Sequence, residues 1–255
     1  MSNIVSSHAA TANQTWPFIV VPNYETFAQT HRQQSGAETL AIWNRVTPDT
    51  AEPYLEYVED NYQTWIKNGH MIQAGNLNRL NPDTSFYHPY ITQRTSEGFV
   101  EDSRSRTEYW PSWLFSPPPS SYGAVNFNLP SMPFFTKLFD ELVRLKNETL
   151  VSSVQPYQVV PLAMTQEEHD AMHSRLKDSS AQHPHSFFYH PIHEVPEDTE
   201  SRVVAAMSGG VAWDRSLRNL LPTGVAGIHV VIQNSCQQAY TYDIIGGDGK
   251  PSRPT

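Results

Sequence analysis

The apolar positions along the chain change period several times, and each change marks an expected element. Residues 1–15 carry Ser, Ala, Asn and Thr without an apolar period and read as a disordered lead-in. Phe18–Val21 is a short apolar run stopped by Pro22, after which Asn23 is placed to cap a helix over Tyr24–Gln34 that ends near Ser35-Gly36. Leu40, Ile42 and Val46 alternate, with Trp43 out of phase, which predicts a strand over Glu38–Val46. Leu55, Val58, Tyr62, Trp65 and Ile66 then recur at helical spacing opposite Glu52, Glu56, Glu59 and Asp60. That pattern predicts a helix from Thr50 to Lys67, closed by Asn68-Gly69.

From Asn76 to Pro130 the helical period gives way to closely spaced aromatics. Strands are expected near Ser85–Ile91, Glu108–Phe115 and Gly123–Asn128, and Pro117-Pro118-Pro119 must carry the chain out of any central ladder. A helix follows with Phe135, Leu138, Leu142 and Leu145 on one face and Ser131 as its cap, then strands at Leu150–Val154 and Gln158–Leu162. Thr165-Gln166-Glu167-Glu168 is a capping box that starts a helix to about Asp178. Strands at Ser186–Ile192 and Arg202–Ser208, a helix at Ala212–Leu221 and a hairpin pairing Gly227–Gln233 with Gln238–Ile245 complete the series. In the hairpin, Ile228, Val230 and Ile232 alternate against Tyr240, Tyr242 and Ile244, so both sets can face one core. The interleaving predicts an α+β fold of antiparallel sheets, helices on one side, in two lobes: 16–180 and 181–246, with a tail at 247–255.

Charge removes one class of partner. The 255 residues carry a formal net charge of −9, which opposes a nucleic-acid groove. Cys236 stands alone, so an internal disulfide and a Cys-based zinc site are excluded. The triplets Asn13-Gln14-Thr15 and Asn147-Glu148-Thr149 are compatible with secretion. Met1–Gln14 lacks the apolar middle of a signal peptide, and no run reaches the ~18 apolar residues of a membrane helix. Any membrane helices are expected outside this sequence.

Candidate chemistry is sparse. His183 with His185 could share one strand face as metal ligands, but His190 and His193 would point to opposite faces and no Cys completes the set, so imidazoles bonded to neighbouring backbone are the favoured reading. His169 and His173, four apart on the capped helix, resemble a metalloprotease pair only loosely, because Asp170 stands where a Glu base would act. No phosphate loop or nucleophile elbow is present; Ser208-Gly209-Gly210 reads as a strand-end turn. The stretch Tyr109–Pro118 is the most unusual, dense in aromatics with hydroxyls between them. It suits the wall of a small-molecule pocket, and it suits an ordinary core strand.

Several blocks carry a resemblance. Trp113-Leu114-Phe115-Ser116-Pro117-Pro118-Pro119 with Val125-Asn126-Phe127-Asn128, His183-Pro184-His185-Ser186, and Trp213-Asp214-Arg215 with Asn219-Leu220-Leu221-Pro222 are five of them. Gly227-Ile228-His229-Val230-Val231 leading to Asn234-Ser235-Cys236-Gln237-Gln238-Ala239-Tyr240-Thr241-Tyr242 is the most distinctive. In order and spacing, from about Trp16 to Ile245, they resemble the extracellular region of receptor-type nucleotide cyclases of diatoms and related algae. That region looks like a CHASE-type sensor, a pair of PAS-like lobes between membrane spans. The resemblance implies a ligand-sensing region without catalytic residues, cofactor or metal of its own, relaying an unknown small molecule to a class III cyclase domain elsewhere in a parent receptor. It also implies a homodimer through that receptor, membrane attachment by flanking helices and a position outside the cytoplasm. Tyr109, Trp110, Trp113 and Ser116 are the expected pocket residues of the first lobe. The competing readings are a protein-binding scaffold domain, whose aromatic middle is simply core, and a histidine-dependent metal hydrolase.

Overall fold

A computed structural model describes residues 2–73, 87–95, 98–102, 106–119, 122–152, 185–213, 217, 221–223, 225–233 and 238–245. The expected strand at 158–162, the capped helix at 165–178 and the histidines at 169, 173 and 183 lie outside these residues, as does Cys236.

The central element is strand β1 (Thr39–Asn44), whose Leu40, Ala41, Ile42 and Trp43 are all buried. Successive strand residues point to opposite faces, so both faces of the sheet at β1 are covered. This explains the phase of Trp43, which occupies the second face and donates its indole N–H to Ser208 Oγ at 2.7 Å.

Strands β2 (Thr92–Thr95) and β3 (Gly98–Glu101) form a small hairpin beside the sheet. The sheet itself adds β4 (Ser112–Ser116), β5 (Leu150–Val151), β6 (His185–His193) and β7 (Val203–Ala212) to β1. Its order is β4-β1-β7-β6-β5, antiparallel throughout. The expected lobe boundary at 180/181 therefore runs through one sheet, because β6 and β7 complete the sheet that β1 begins. The remainder of the expected second lobe is the hairpin β8 (Ala226–Gln233) and β9 (Ala239–Ile245). Ile228 faces Ile244, Val230 faces Tyr242 and Ile232 faces Tyr240, the pairing that the alternation required. Tyr242 and Ile244 bury with Leu217 in a separate small cluster. Trp213 links it to the sheet, edge-on to Tyr240 and donating its indole N–H to Ser186 Oγ at 3.0 Å. The helix expected over 212–221 begins too early, since Ala212 is still in β7.

The helices differ from expectation at their ends. Helix α1 (Ser2–Thr11) replaces the disordered lead-in. Val5 and Ala9, four apart, make a small buried face, α1 packs on β6, and the Ser6 hydroxyl donates to the His193 carbonyl at 2.8 Å. Tertiary contact, invisible to local periodicity, holds it. Helix α2 (Tyr24–Ser35) ends at Gly36, whose φ of +72° suits the left-handed cap, although the Asn23 side chain makes no capping bond. Helix α3 (Pro48–Gln73) continues past Gly69, where a Cβ would lie 3.0 Å from Pro118 Cβ. Glycine here permits close passage over the proline run and does not end the helix. Helix α4 (Pro133–Leu145) packs Phe135 and Phe139 against Tyr189 of β6, with Met132 at its N-cap and Ser131 in the preceding 3-10 turn.

Gly209 and Gly210 lie inside β7, not at a strand-end turn. They leave room for two rings that cross the strand: a Cβ on Gly209 would lie 2.1 Å from Phe188 Cζ, and one on Gly210 2.9 Å from Phe187 Cε1. Gly209→Ala should therefore destabilise the protein by about 2 kcal/mol through overpacking against Phe188 and Leu40. Gly36→Ala meets no atom within 4 Å and should cost about 1 kcal/mol from backbone strain alone. Urea denaturation of both variants checks the order.

The buried tyrosines generate a second expectation. Burial pushes the phenols of Tyr24, Tyr54 and Tyr189 well above their usual range, and that of Tyr57 up to about 12. Raised folded-state values mean that the native chain keeps protons the unfolded chain releases. The stability they carry is intact below pH ~10 and falls as pH rises from there through the folded values. Phenolate absorbance should show these tyrosines ionising together with unfolding, and an alkaline titration following only the ordinary phenol range would contradict this.

Candidate functional site

The segment before β4 is held at three backbone points. Tyr109 exchanges hydrogen bonds with Val46, at 2.7 and 2.9 Å, and Pro111 accepts from Asn44 N–H at 3.1 Å. Between them, Trp110 N–H donates to the Asn128 carboxamide at 2.9 Å. The β2–β3 hairpin brings Asp102 to the same place, its side chain fully buried. Asp102 Oδ2 accepts from Arg106 Nε at 3.0 Å and from Asn128 Nδ2 at 2.8 Å. Asn128 thus ties the backbone of Trp110 to the carboxylate that holds Arg106.

Trp110 itself is enclosed. Its indole N–H donates to Glu108 Oε1 at 2.9 Å, Phe139 of α4 lies 4.8 Å away between ring centroids, and the Arg45 guanidinium lies 5.8 Å from the ring. Arg45 also binds Glu108 Oε2 at 2.7 Å and the Val203 carbonyl at 3.1 Å, so both Glu108 oxygens are engaged. Beside this cluster opens a cleft of about 290 Å³, lined by Arg106, Thr107, Glu108, Trp110, Pro130, Thr136, Phe139 and Asp140. Its floor is aromatic and its rim carries charges of both signs.

Of the four residues expected to line one pocket, only Trp110 borders this cleft. Trp113 is fully buried away from the cleft, its indole N–H donating to the Ile19 carbonyl at 2.6 Å and its ring between Tyr57 and Trp65 of α3. Ser116 is buried too, accepting from Arg32 Nε at 2.7 Å, and Tyr109 is half-buried in its bridge to Val46. The reason is a bulge: the pairing passes from Trp43 with Ser112 to Ile42 with Leu114, leaving Trp113 as the extra residue, and it turns toward α3 while Trp110 meets α4. The expected pocket is therefore narrowed to Trp110. The residues that sequence reasoning missed lie in two groups. Arg106, Thr107 and Glu108 immediately precede the aromatic stretch, and Thr136 with Asp140 share a face of α4 by their i, i+4 spacing.

A second cavity lies between α2 and α3, with Tyr24, Trp65 and Phe115 in its wall, but its volume of about 30 Å³ has room for only one or two waters. The histidines are dispersed into protein contacts. His185 Nε2, buried, meets Glu38 Oε2 at 3.0 Å, and His190 Nδ1 meets Thr149 Oγ1 at 2.8 Å. His193 faces the carbonyls of Ser201 and Lys146. Burial, with His193 nearby, holds His190 below the usual imidazole range. Among the described residues no three His, Cys, Asp or Glu side chains gather as a metal site.

The two carboxylates at Trp110 should differ in their weight. Asp102→Ala strands a mostly buried guanidinium and unties Asn128, so it should cost about 3 kcal/mol. Glu108→Gln weakens a quarter-exposed pair and should cost about 1 kcal/mol. Urea denaturation compares them, and equal losses would show that Asp102 is not the anchor of this loop. In comparisons with known proteins, no family model and no curated protein matches this chain.

Proposed function

We propose that this chain is the extracytoplasmic ligand-sensing region of a membrane receptor-type nucleotide cyclase, with the cyclase domain elsewhere in the parent protein. The observation that carries the reading is the strand order of the sheet. Numbered in the order they occur in the chain, its five antiparallel strands run 2-1-5-4-3 from edge to edge, the order of a PAS-type sheet, which is the lobe that the sequence resemblance implies. The cleft beside Trp110, with its aromatic floor and charged rim, supports a small-molecule site in that lobe. A homodimer through the receptor and membrane attachment by flanking helices belong to the same proposal; no helix among the described residues is long and apolar enough to cross a membrane.

The mechanism follows from the positions of the cleft walls. One wall is α4, and the other is the loop that leads into β4, the edge strand paired with central β1. A ligand that binds more tightly when these walls close shifts the population toward the closed state, by no more than its difference in affinity for the two. Loop movement then reaches β4 and the helices α2 and α3 packed on it.

A thermal-shift screen with small metabolites tests the reading. A ligand present at about a hundred times its Kd adds ~2.7 kcal/mol, a rise of about 5 °C or more in Tm for a domain of this size. Thr107 is exposed on the cleft rim, so Thr107→Trp should fill the cleft, keep the fold and abolish the shift. No stabilising ligand, or one that Thr107→Trp leaves untouched, would sink the assignment.

A further inference from the structure

We infer that the cleft beside Trp110 takes a single zwitterionic molecule of the α-amino acid class, its carboxylate on Arg106 and its ammonium on Asp140. The inference rests on the reading of this cleft as a ligand site and adds the chemistry of the ligand. It follows from which groups around the cleft are already committed. Both Glu108 oxygens are taken, one by the Trp110 indole and one by Arg45. The Thr136 hydroxyl donates to the Pro130 carbonyl at 2.8 Å.

Two charged groups keep capacity. Arg106 is gripped from behind through Nε alone, by a fully buried carboxylate that Asn128 holds in turn. Its two terminal NH2 groups make no further hydrogen bond among the described residues. A guanidinium oriented in this way presents a flat donor edge, the geometry that matches a carboxylate with two parallel bonds. Asp140, on the α4 wall of the same cleft, makes no ion pair or hydrogen bond among the described residues.

A simple anion would meet Arg106 favourably and Asp140 unfavourably, and a simple cation the reverse. A molecule carrying both charges satisfies both walls. The floor of Trp110 and Phe139 then receives an apolar side chain, 4.8 Å separating the two ring centroids. A volume of about 290 Å³ lies at the low end for small-molecule pockets, which suits one amino acid and not a peptide.

Titration calorimetry of the full chain with the proteinogenic L-α-amino acids, alongside the amines and acids made by removing either charged group, tests the inference. L-leucine with isoamylamine and isocaproate, and L-phenylalanine with phenethylamine and hydrocinnamate, are the informative sets. At least one amino acid should bind about tenfold or more tightly than both of its truncated analogues. Arg106→Lys, which keeps the charge beside Asp102 but loses the planar fork, should weaken the amino acid and spare the amine. Asp140→Asn should weaken the amino acid and spare the acid. This crossed pattern is one that a loss of folding cannot produce. An amine or acid binding as tightly as its parent amino acid overturns the inference, as does a ligand of another class whose binding Thr107→Trp blocks, and both results leave the sensing reading standing. If no metabolite of any class binds at the cleft, the sensing reading fails with it.

Discussion

The five-stranded sheet and the helices packed on it depend on burying β1 from both faces and both edges. Its neighbours in the ladder are β4, some seventy residues downstream, and β7, more than 160 residues away. Neither pairing is local, so the sheet forms only when distant segments meet, and the entropy of closing those loops must be offset by apolar burial. The side chains that supply it are large: Trp43, Trp113, Leu114 and Phe115 sit on β1 and β4, and Tyr54, Val58, Trp65 and Ile66 come from α3. Where two rings must cross β7, glycine replaces side-chain bulk.

The cleft is a consequence of that packing. The segment leading into β4 carries the pairing with β1 onward through Asn44 and Val46, and Asn128 ties it from the other side. Fixing it this way turns Trp110 toward α4 and leaves Arg106 held by a buried carboxylate at the rim. A charge buried at Asp102 is tolerable only because a cation and a carboxamide both reach it. The same arrangement that satisfies Asp102 pre-organises the guanidinium, so the rigidity of the site and the stability of the loop have one origin.

Much of this was legible in the chain itself. The helix at 24–35 with its glycine stop, the strand at 39–44, the amphipathic run inside α3 and the pairing of Tyr242 with Val230 follow from period and turn chemistry. These features depend on neighbours a few residues apart or on one hairpin turn. The α+β class follows from them. The aromatic stretch at 109–118 was legible as unusual, and its double nature was real: Trp113 and Ser116 serve the core, while Trp110 reaches the cleft.

What only the tertiary structure decided concerns residues whose role is set by partners far along the chain. Helix α1 has no apolar period and is fixed by its seat on β6. Gly69 looks like a stop and is a point of close passage; Gly209 and Gly210 look like a turn and are mid-strand. Strands β6 and β7 read as the start of a second lobe, yet their ladder bonds join them to the first sheet. Arg106, Asn128 and Asp140 carry no local signal, since an extended or helical period places a side chain on a face without saying what faces it. The sequence by itself determined the local periods and turns, because those depend on neighbours along the chain. Strand order, the second buried face and the convergence of charges on the cleft depend on which distant segments meet.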